Sequence, residues 1–203
     1  GSRIFIKDVG LNPTRTGVIT ALIRMRARIR EIMESNELGE PWGTIDVMAS
    51  RLDGGVIGGE VISNLIDEIP FLAVAGALAE GVTVIRDAQE LRVKETDRIA
   101  ALVQNLQAMG VTVKEYDDGL AIQGGCALRG ARIPSFGDHR IAMAFSIAGL
   151  FASGETIIED VECVNTSYPG FEERLLDFQR GRLKPMSHAT SLRGLDQLRA
   201  SRS

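Results

Sequence analysis

The chain has 203 residues, 44% of them apolar, and a formal net charge of -4, which suits one substantial core or two small ones. Its basic residues are dispersed rather than gathered in a block, which excludes a nucleic-acid partner, and its longest apolar runs, Ile69 to Ala79 and Ile141 to Ala152, fall well short of the roughly 18 to 20 residues needed to cross a membrane. Two cysteines, Cys126 and Cys163, and two histidines fit neither a disulfide framework nor a zinc site, so reduced thiols in a cytoplasmic protein, with no metal or cofactor, are expected.

Taken in chain order, Gly1, Ser2 and Arg3 read as a tag remnant. Ile4 to Asp8 (IFIKD) predicts a strand, followed by a helix from about Thr14 to Arg28 and irregular strands through Gly59. Pro70 in the first turn, with acids before it, predicts a helix start at Ile66 to Pro70, and the Ala-rich run that follows is apolar nearly all round and ends near Gly81. A short strand leads to a second helix, about Lys94 to Met109, with Ile99, Leu102, Val103 and Leu106 at helical spacing and Gly110 as its stop. VTVKEY and GLAIQG then predict a hairpin across Asp117, Asp118 and Gly119. Another apolar helix follows Asp138-His139-Arg140, then a strand and a helix over Gly170 to Gln179. The polar stretch 184–203 is placed outside the core.

An internal repeat organises these elements. Gly81, Thr83, Ile85 and Asp87 recur as Gly154, Thr156, Ile158 and Asp160, at a constant offset of 73, each time after an apolar helix. One supersecondary unit is therefore expected to be used twice, with a truncated third copy opening the chain: a partial unit over 4–60, a second over 61–125 and a third over 126–183.

The densest polar cluster is LRVKETDR, Leu91 to Arg98. On a helix beginning at Lys94, Lys94 and Arg98 share a face and Glu95 stands beside them near the positive end of the helix dipole. A solvated first turn, capped by Thr96 or Asp97 and carrying a Glu95–Arg98 ion pair, would use the same residues. Asp138 likewise suits an N-cap, with His139 and Arg140 exposed beyond it. The offset of 73 maps Asp67 onto Arg140, so equivalent helix N-termini present a carboxylate and a guanidinium, at the kind of end that gathers anions. Arginine forks for carboxylate or phosphate, a lysine that can carry a proton, and carboxylates as general acid and base together suit chemistry on an anionic substrate.

LIDEIP (65–70), ELRVKETDR (90–98), DHRIAMAF (138–145) and CVNTSYPGF (163–171), with NPTRTG (12–17) before them, resemble the 5-enolpyruvylshikimate-3-phosphate synthase family. The resemblance covers roughly Asn12 to Glu173. It implies an α/β fold, one domain of an inside-out α/β barrel built of repeated βαβαββ units with buried helices. It also implies transfer of the enolpyruvyl group of phosphoenolpyruvate to the 5-hydroxyl of shikimate 3-phosphate, with release of phosphate. By the same resemblance Asp67 accepts the hydroxyl proton and binds the ring of shikimate 3-phosphate, Lys94 holds shikimate 3-phosphate and helps shuttle the proton, and Glu95 acts at the methylene carbon. Glu90 joins the shikimate 3-phosphate site. Arg98 and Arg140 clamp phosphoenolpyruvate with His139 at their edge, and Thr166 stands where some members have a lysine that contacts it. Arg26 follows Met25 where relatives commonly have glycine. The residues with which the family's other half holds shikimate 3-phosphate have no counterpart here, so that N-terminal half is the expected partner and the chain alone is expected to have negligible turnover. The related transferase that acts on a UDP-amino sugar, and a non-catalytic association module, are the alternatives.

Overall fold

The computed structural model describes residues 1–36 and 39–181, which divide into two units between Pro169 and Gly170. The expected polar stretch 184–203 lies outside the described residues. In the first unit, β1 (Arg3–Gly10), β2 (Arg28–Ser35) and β3 (Trp42–Met48) form an antiparallel sheet of order β1-β3-β2. These ladders are long, and each is broken by a register shift, between Ile6 and Val9 on β1 and between Met33 and Ser35 on β2, in keeping with the irregular strands the sequence suggested after α1. Arg3, expected as part of a tag remnant, bonds both oxygens of the buried Asp46 through its guanidinium at 2.8 Å each.

Helix α1 (Gly17–Arg24) is shorter than expected at both ends. Asn12 accepts from the Thr14 amide and hydroxyl and holds the chain in a turn before it. At the other end Arg26 takes a left-handed φ of 67°, which costs a non-glycine residue about 1–2 kcal/mol, and pairs with Asp53 at 2.8 Å. The helix therefore stops where a glycine would be the easier residue.

A second sheet has the order β4-β5-β7-β6, from β4 (Val56–Ile57), β5 (Val82–Ile85), β6 (Val113–Tyr116) and β7 (Gly119–Gln123). β4 and β5 run parallel, and β6 and β7 make the expected hairpin. A third, two-stranded sheet pairs β8 (Arg132–Pro134) with β9 (Ile157–Glu159) in parallel. Three helices, α2 (Ile69–Leu78), α3 (Arg98–Ala108) and α4 (His139–Gly149), pack against one another. Strands β5 and β7 lie on α2, β6 and β8 on α3, and β9 on α4. Leu72, Ala73, Leu102, Leu106, Phe145 and Ala148 are fully buried where the helices meet, the helix-inside arrangement that an all-apolar α2 demands.

The repeat is physical. A Cβ added at Gly76 would lie 2.9 Å from the Cβ of Thr83, and one added at Gly149 would lie 3.2 Å from that of Thr156. Both glycine–threonine pairs are related by the same offset of 73. A parallel bridge precedes each of the strands β5 and β9, Asp53 to Glu80 and Arg129 to Ser153, and a left-handed aspartate follows each, Asp87 at φ 60° and Asp160 at φ 55°. Small residues let the helix backbone approach the strand, so the same identities recur.

The short α5 (Val164–Ser167) closes the first unit. The described part of the second contains α6 (Phe171–Gln179), entered through Gly170 at φ 80°, one residue later than expected. Compactness thus breaks at Pro169, inside the stretch 126–183 read as one repeat. Among the described residues no helix is long and apolar enough to cross a membrane.

Candidate active site

The N-terminal ends of α2, α3 and α4 meet. A single 3-10 turn, Ile66–Glu68, leads into α2 and carries Asp67; Arg98 is the first residue of α3; and Asp138 caps α4, accepting from the amides of Arg140 at 2.8 Å and Ile141 at 3.3 Å. The Arg98 side chain is only 1% exposed. Its Nε donates to Asp138 Oδ2 at 2.7 Å, its Nη1 to Asp67 Oδ1 at 3.1 Å and its Nη2 to Glu95 Oε2 at 2.6 Å. Burial works against the charge on Arg98, but the Asp138 bond and the charges of Asp138 and Glu95 outweigh it and raise its pKa above the usual arginine value.

Arg140 reaches the same place from α4. Its Nη2 lies 3.4 Å from Asp67 Oδ2, and its Nη1 donates to the Asp67 carbonyl at 2.9 Å and to Glu68 Oε1 at 3.4 Å. The Asp67–Arg140 equivalence inferred from the repeat is therefore a contact. Arg98 and Arg140 together hold Asp67, whose side chain stays 43% exposed.

Lys94 and Glu95 are placed differently from the sequence expectation. They are not helical: the chain runs through a 3-10 turn, Gln89–Val93, then an extended Lys94 with ψ -157°, and α3 starts only at Arg98. Asp97 wins the cap, accepting from the Ala100 amide at 3.0 Å. Lys94 and Arg98 therefore share no helix face, and the ammonium of Lys94 pairs with Glu90. The Asp97 cap and the Glu95–Arg98 ion pair of the alternative both form, but the turn is not solvated, because Arg98 is buried.

His139 opens α4 between Asp138 and Arg140, half-buried. Thr166 is exposed on α5, where its hydroxyl donates to the Cys163 carbonyl at 2.6 Å, and among the described bonds none joins it to the cluster. Sequence reasoning had Asp138 as a cap but missed its grip on Arg98, and it missed Glu68 as a partner of Arg140. The Asp138–Arg98 pair spans 40 residues, and only tertiary packing brings such groups together. A small cavity of about 130 Å³, lined by Ala21, Arg24, Met25, Val56, Ile57 and Val61 among others, includes none of these residues.

The charge count is informative. Lys94, Arg98 and Arg140 face Asp67, Glu68, Glu90, Glu95 and Asp138, three cations against five carboxylates. Donors and acid/base groups are present, yet the cluster is net negative, so an anionic ligand would need positive charge from elsewhere.

The family model for EPSP synthase (3-phosphoshikimate 1-carboxyvinyltransferase) matches residues 1–175. The 3-phosphoshikimate 1-carboxyvinyltransferase of Akkermansia muciniphila is 56% identical over 180 residues, covering 88% of this chain and 41% of that protein. That of Desulforamulus reducens is 52% identical over 176 residues, covering 86% and 41%. Among solved structures, an EPSP synthase from Acinetobacter baumannii superposes with a TM-score of 0.82 at 40% identity, covering 88% of this chain and 42% of that one. The enolpyruvyl transferase NikO from Streptomyces tendae, at 21% identity and a TM-score of 0.70 over 88% of this chain and 39% of its own, shares the fold. The chain spans about 41% of the length of these first two relatives. With the family match extending over residues 1–175 and taking in the whole cluster built above, the chain belongs to the EPSP synthase (3-phosphoshikimate 1-carboxyvinyltransferase) family.

Proposed function

We propose that the chain is one half of a 3-phosphoshikimate 1-carboxyvinyltransferase, working with an N-terminal half to move enolpyruvyl from phosphoenolpyruvate to the 5-hydroxyl of shikimate 3-phosphate in the cytoplasm. The observation that carries this reading is the meeting of Asp67, Glu95, Arg98 and Arg140 at three helix N-termini. Glu95, taking up a proton from water once its bond to Arg98 is displaced, delivers it to the methylene carbon of phosphoenolpyruvate, and the 5-hydroxyl oxygen bonds to the neighbouring carbon as its proton passes to Asp67, with Lys94 in the relay. The resulting tetrahedral intermediate collapses when Glu95 recovers a methyl proton, the double bond re-forms and phosphate leaves.

The arginines take a double part. The carboxylate or phosphate of phosphoenolpyruvate competes with Glu95 and Asp67 for the Nη atoms of Arg98, and in taking them it releases both carboxylates for proton transfer. Arg140, 26% exposed, is the more accessible of the two forks. Glu90 and Lys94 face shikimate 3-phosphate, and His139 and Thr166 the phosphoenolpyruvate edge. Two anionic substrates cannot be held by a net-negative wall, so the N-terminal half supplies the balancing cations and excludes water on closing.

The acceptor tests this reading. Chain assembled with a separately expressed N-terminal half is given phosphoenolpyruvate and either shikimate 3-phosphate or UDP-N-acetylglucosamine, and phosphate release is followed. Release with shikimate 3-phosphate alone is expected. Release only with the UDP-amino sugar would assign the chain to the cell-wall type of transferase, and assembly without turnover on either would make it an association module.

A further inference from the structure

The segment that carries Lys94 and Glu95 is neither helix nor strand, and something must hold it still if those side chains are to act. The geometry points to Arg92 as the positioning residue for this segment, a role that rests on the transferase reading above. Arg92 uses four N–H donors. Its Nε donates to the Asp117 carbonyl at 2.8 Å, its Nη1 to Asp97 Oδ2 at 2.9 Å, and its Nη2 to Glu115 Oε1 at 2.9 Å and to the Tyr116 carbonyl at 2.7 Å. Its side chain is 27% exposed.

These partners define a clasp. Asp97 divides its oxygens, Oδ1 capping α3 through Ala100 and Oδ2 gripping Arg92. Residues 93–96 are thus closed into a loop by the ion pair between its two ends. The remaining bonds fasten the loop to the β6–β7 hairpin, itself anchored in the second sheet beside β5. Beneath the clasp, Leu91 is fully buried, and beyond it Glu95 lies against Arg98. Lysine has three donors and no planar fork, so it cannot copy four bonds spread over three nitrogens. A shift of about 1 Å in an acid/base group lowers turnover on the order of 100-fold, so Arg92 acts on the reaction without touching substrate.

The test compares Arg92→Ala and Arg92→Lys with Arg86→Ala. Arg86 binds the same hairpin, through Asp118 at 2.9 Å and over the ring of Tyr116 at 4.6 Å, but does not hold residues 93–97. Amide hydrogen exchange on the chain should quicken at least about tenfold over 93–97 in both Arg92 variants and not in Arg86→Ala. In the two-half assembly, Arg92→Ala should lower kcat by about 10- to 100-fold, and adding Glu95→Gln should cost much less than it does in the parent. Unchanged exchange over 93–97, equal losses of turnover in Arg86→Ala and Arg92→Ala, or an additive Glu95→Gln effect would each overturn the proposal. An inactive parent assembly would instead refute the transferase reading, and the exchange result would still decide whether Arg92 is the clasp.

Discussion

Replacing Asp138 by asparagine probes the buried hub directly. Arg98 and Asp138 have side chains 1% and 0% exposed and meet at 2.7 Å, so the substitution leaves a guanidinium buried against a neutral amide. Removing one partner of a buried pair costs about 3–5 kcal/mol. Here Glu95 and Asp67 still bind Arg98, but their side chains are 48% and 43% exposed and their charge is partly screened, so a loss of about 2–3 kcal/mol is expected. Asparagine still caps α4; alanine does not, and should lose about 1 kcal/mol more. Urea unfolding of the chain, followed by circular dichroism, reads both. In Arg98→Met the charge that needs Asp138 is gone, so Asp138→Asn should then cost markedly less. If Asp138→Asn costs under about 0.5 kcal/mol, or its effect is the same with and without Arg98, the hub is not a buried ion pair in the sense described.

The repeated glycine–threonine contacts give a graded prediction: alanine at Gly76 gains about 1 kcal/mol of helix propensity but sets its Cβ 2.9 Å from Thr83, for a net loss of about 1–2 kcal/mol from overpacking. Gly149→Ala, with 3.2 Å to Thr156, should be milder, and Thr83→Ala should rescue Gly76→Ala; urea midpoints of the three chains check this. Acid stability should depend on Asp46, whose pKa the hydrogen bonds from Arg3 and then Arg30 hold far below the usual carboxylate range. In this window the unfolded chain binds the proton first, so stability rises with pH, is complete above the unfolded value near 4, and falls as pH drops below it towards the depressed folded value. Asp46→Asn should flatten that acid limb in a pH series of thermal melts, and an unchanged slope would count against the pairing.

Much of this fold is written locally. The offset of 73 was legible because Thr83 and Thr156 must face small residues on the preceding helix, and Asp87 and Asp160 both turn through the left-handed region. Asp138 was recognisable as a cap because a cap needs only its own next turn. Boundaries failed where a distant group decided them. Lys94 to Thr96 have helical spacing, but Asp97, held by Arg92, starts α3 later. Helix α1 stops at Arg24, with Arg26 in a conformation its side chain does not advertise. In the site, residue types and helix ends pointed to Asp67, Arg98 and Arg140, and the i, i+3 spacing to a Glu95–Arg98 pair, yet nothing local indicates that Arg98 also binds Asp138 and Asp67. Those two bonds span 40 and 31 residues, and only the packing of three helices brings them to one place.

Phosphate release from phosphoenolpyruvate and shikimate 3-phosphate, measured for the chain alone, for the chain with the N-terminal half, and for the same assembly carrying Glu95→Gln, bears most directly on the half-site transferase. Turnover is expected only in the parent assembly, with the variant slower by about 100- to 10,000-fold. Turnover by the chain alone at the assembly's rate, or an assembly in which Glu95→Gln is as fast as the parent, would contradict it.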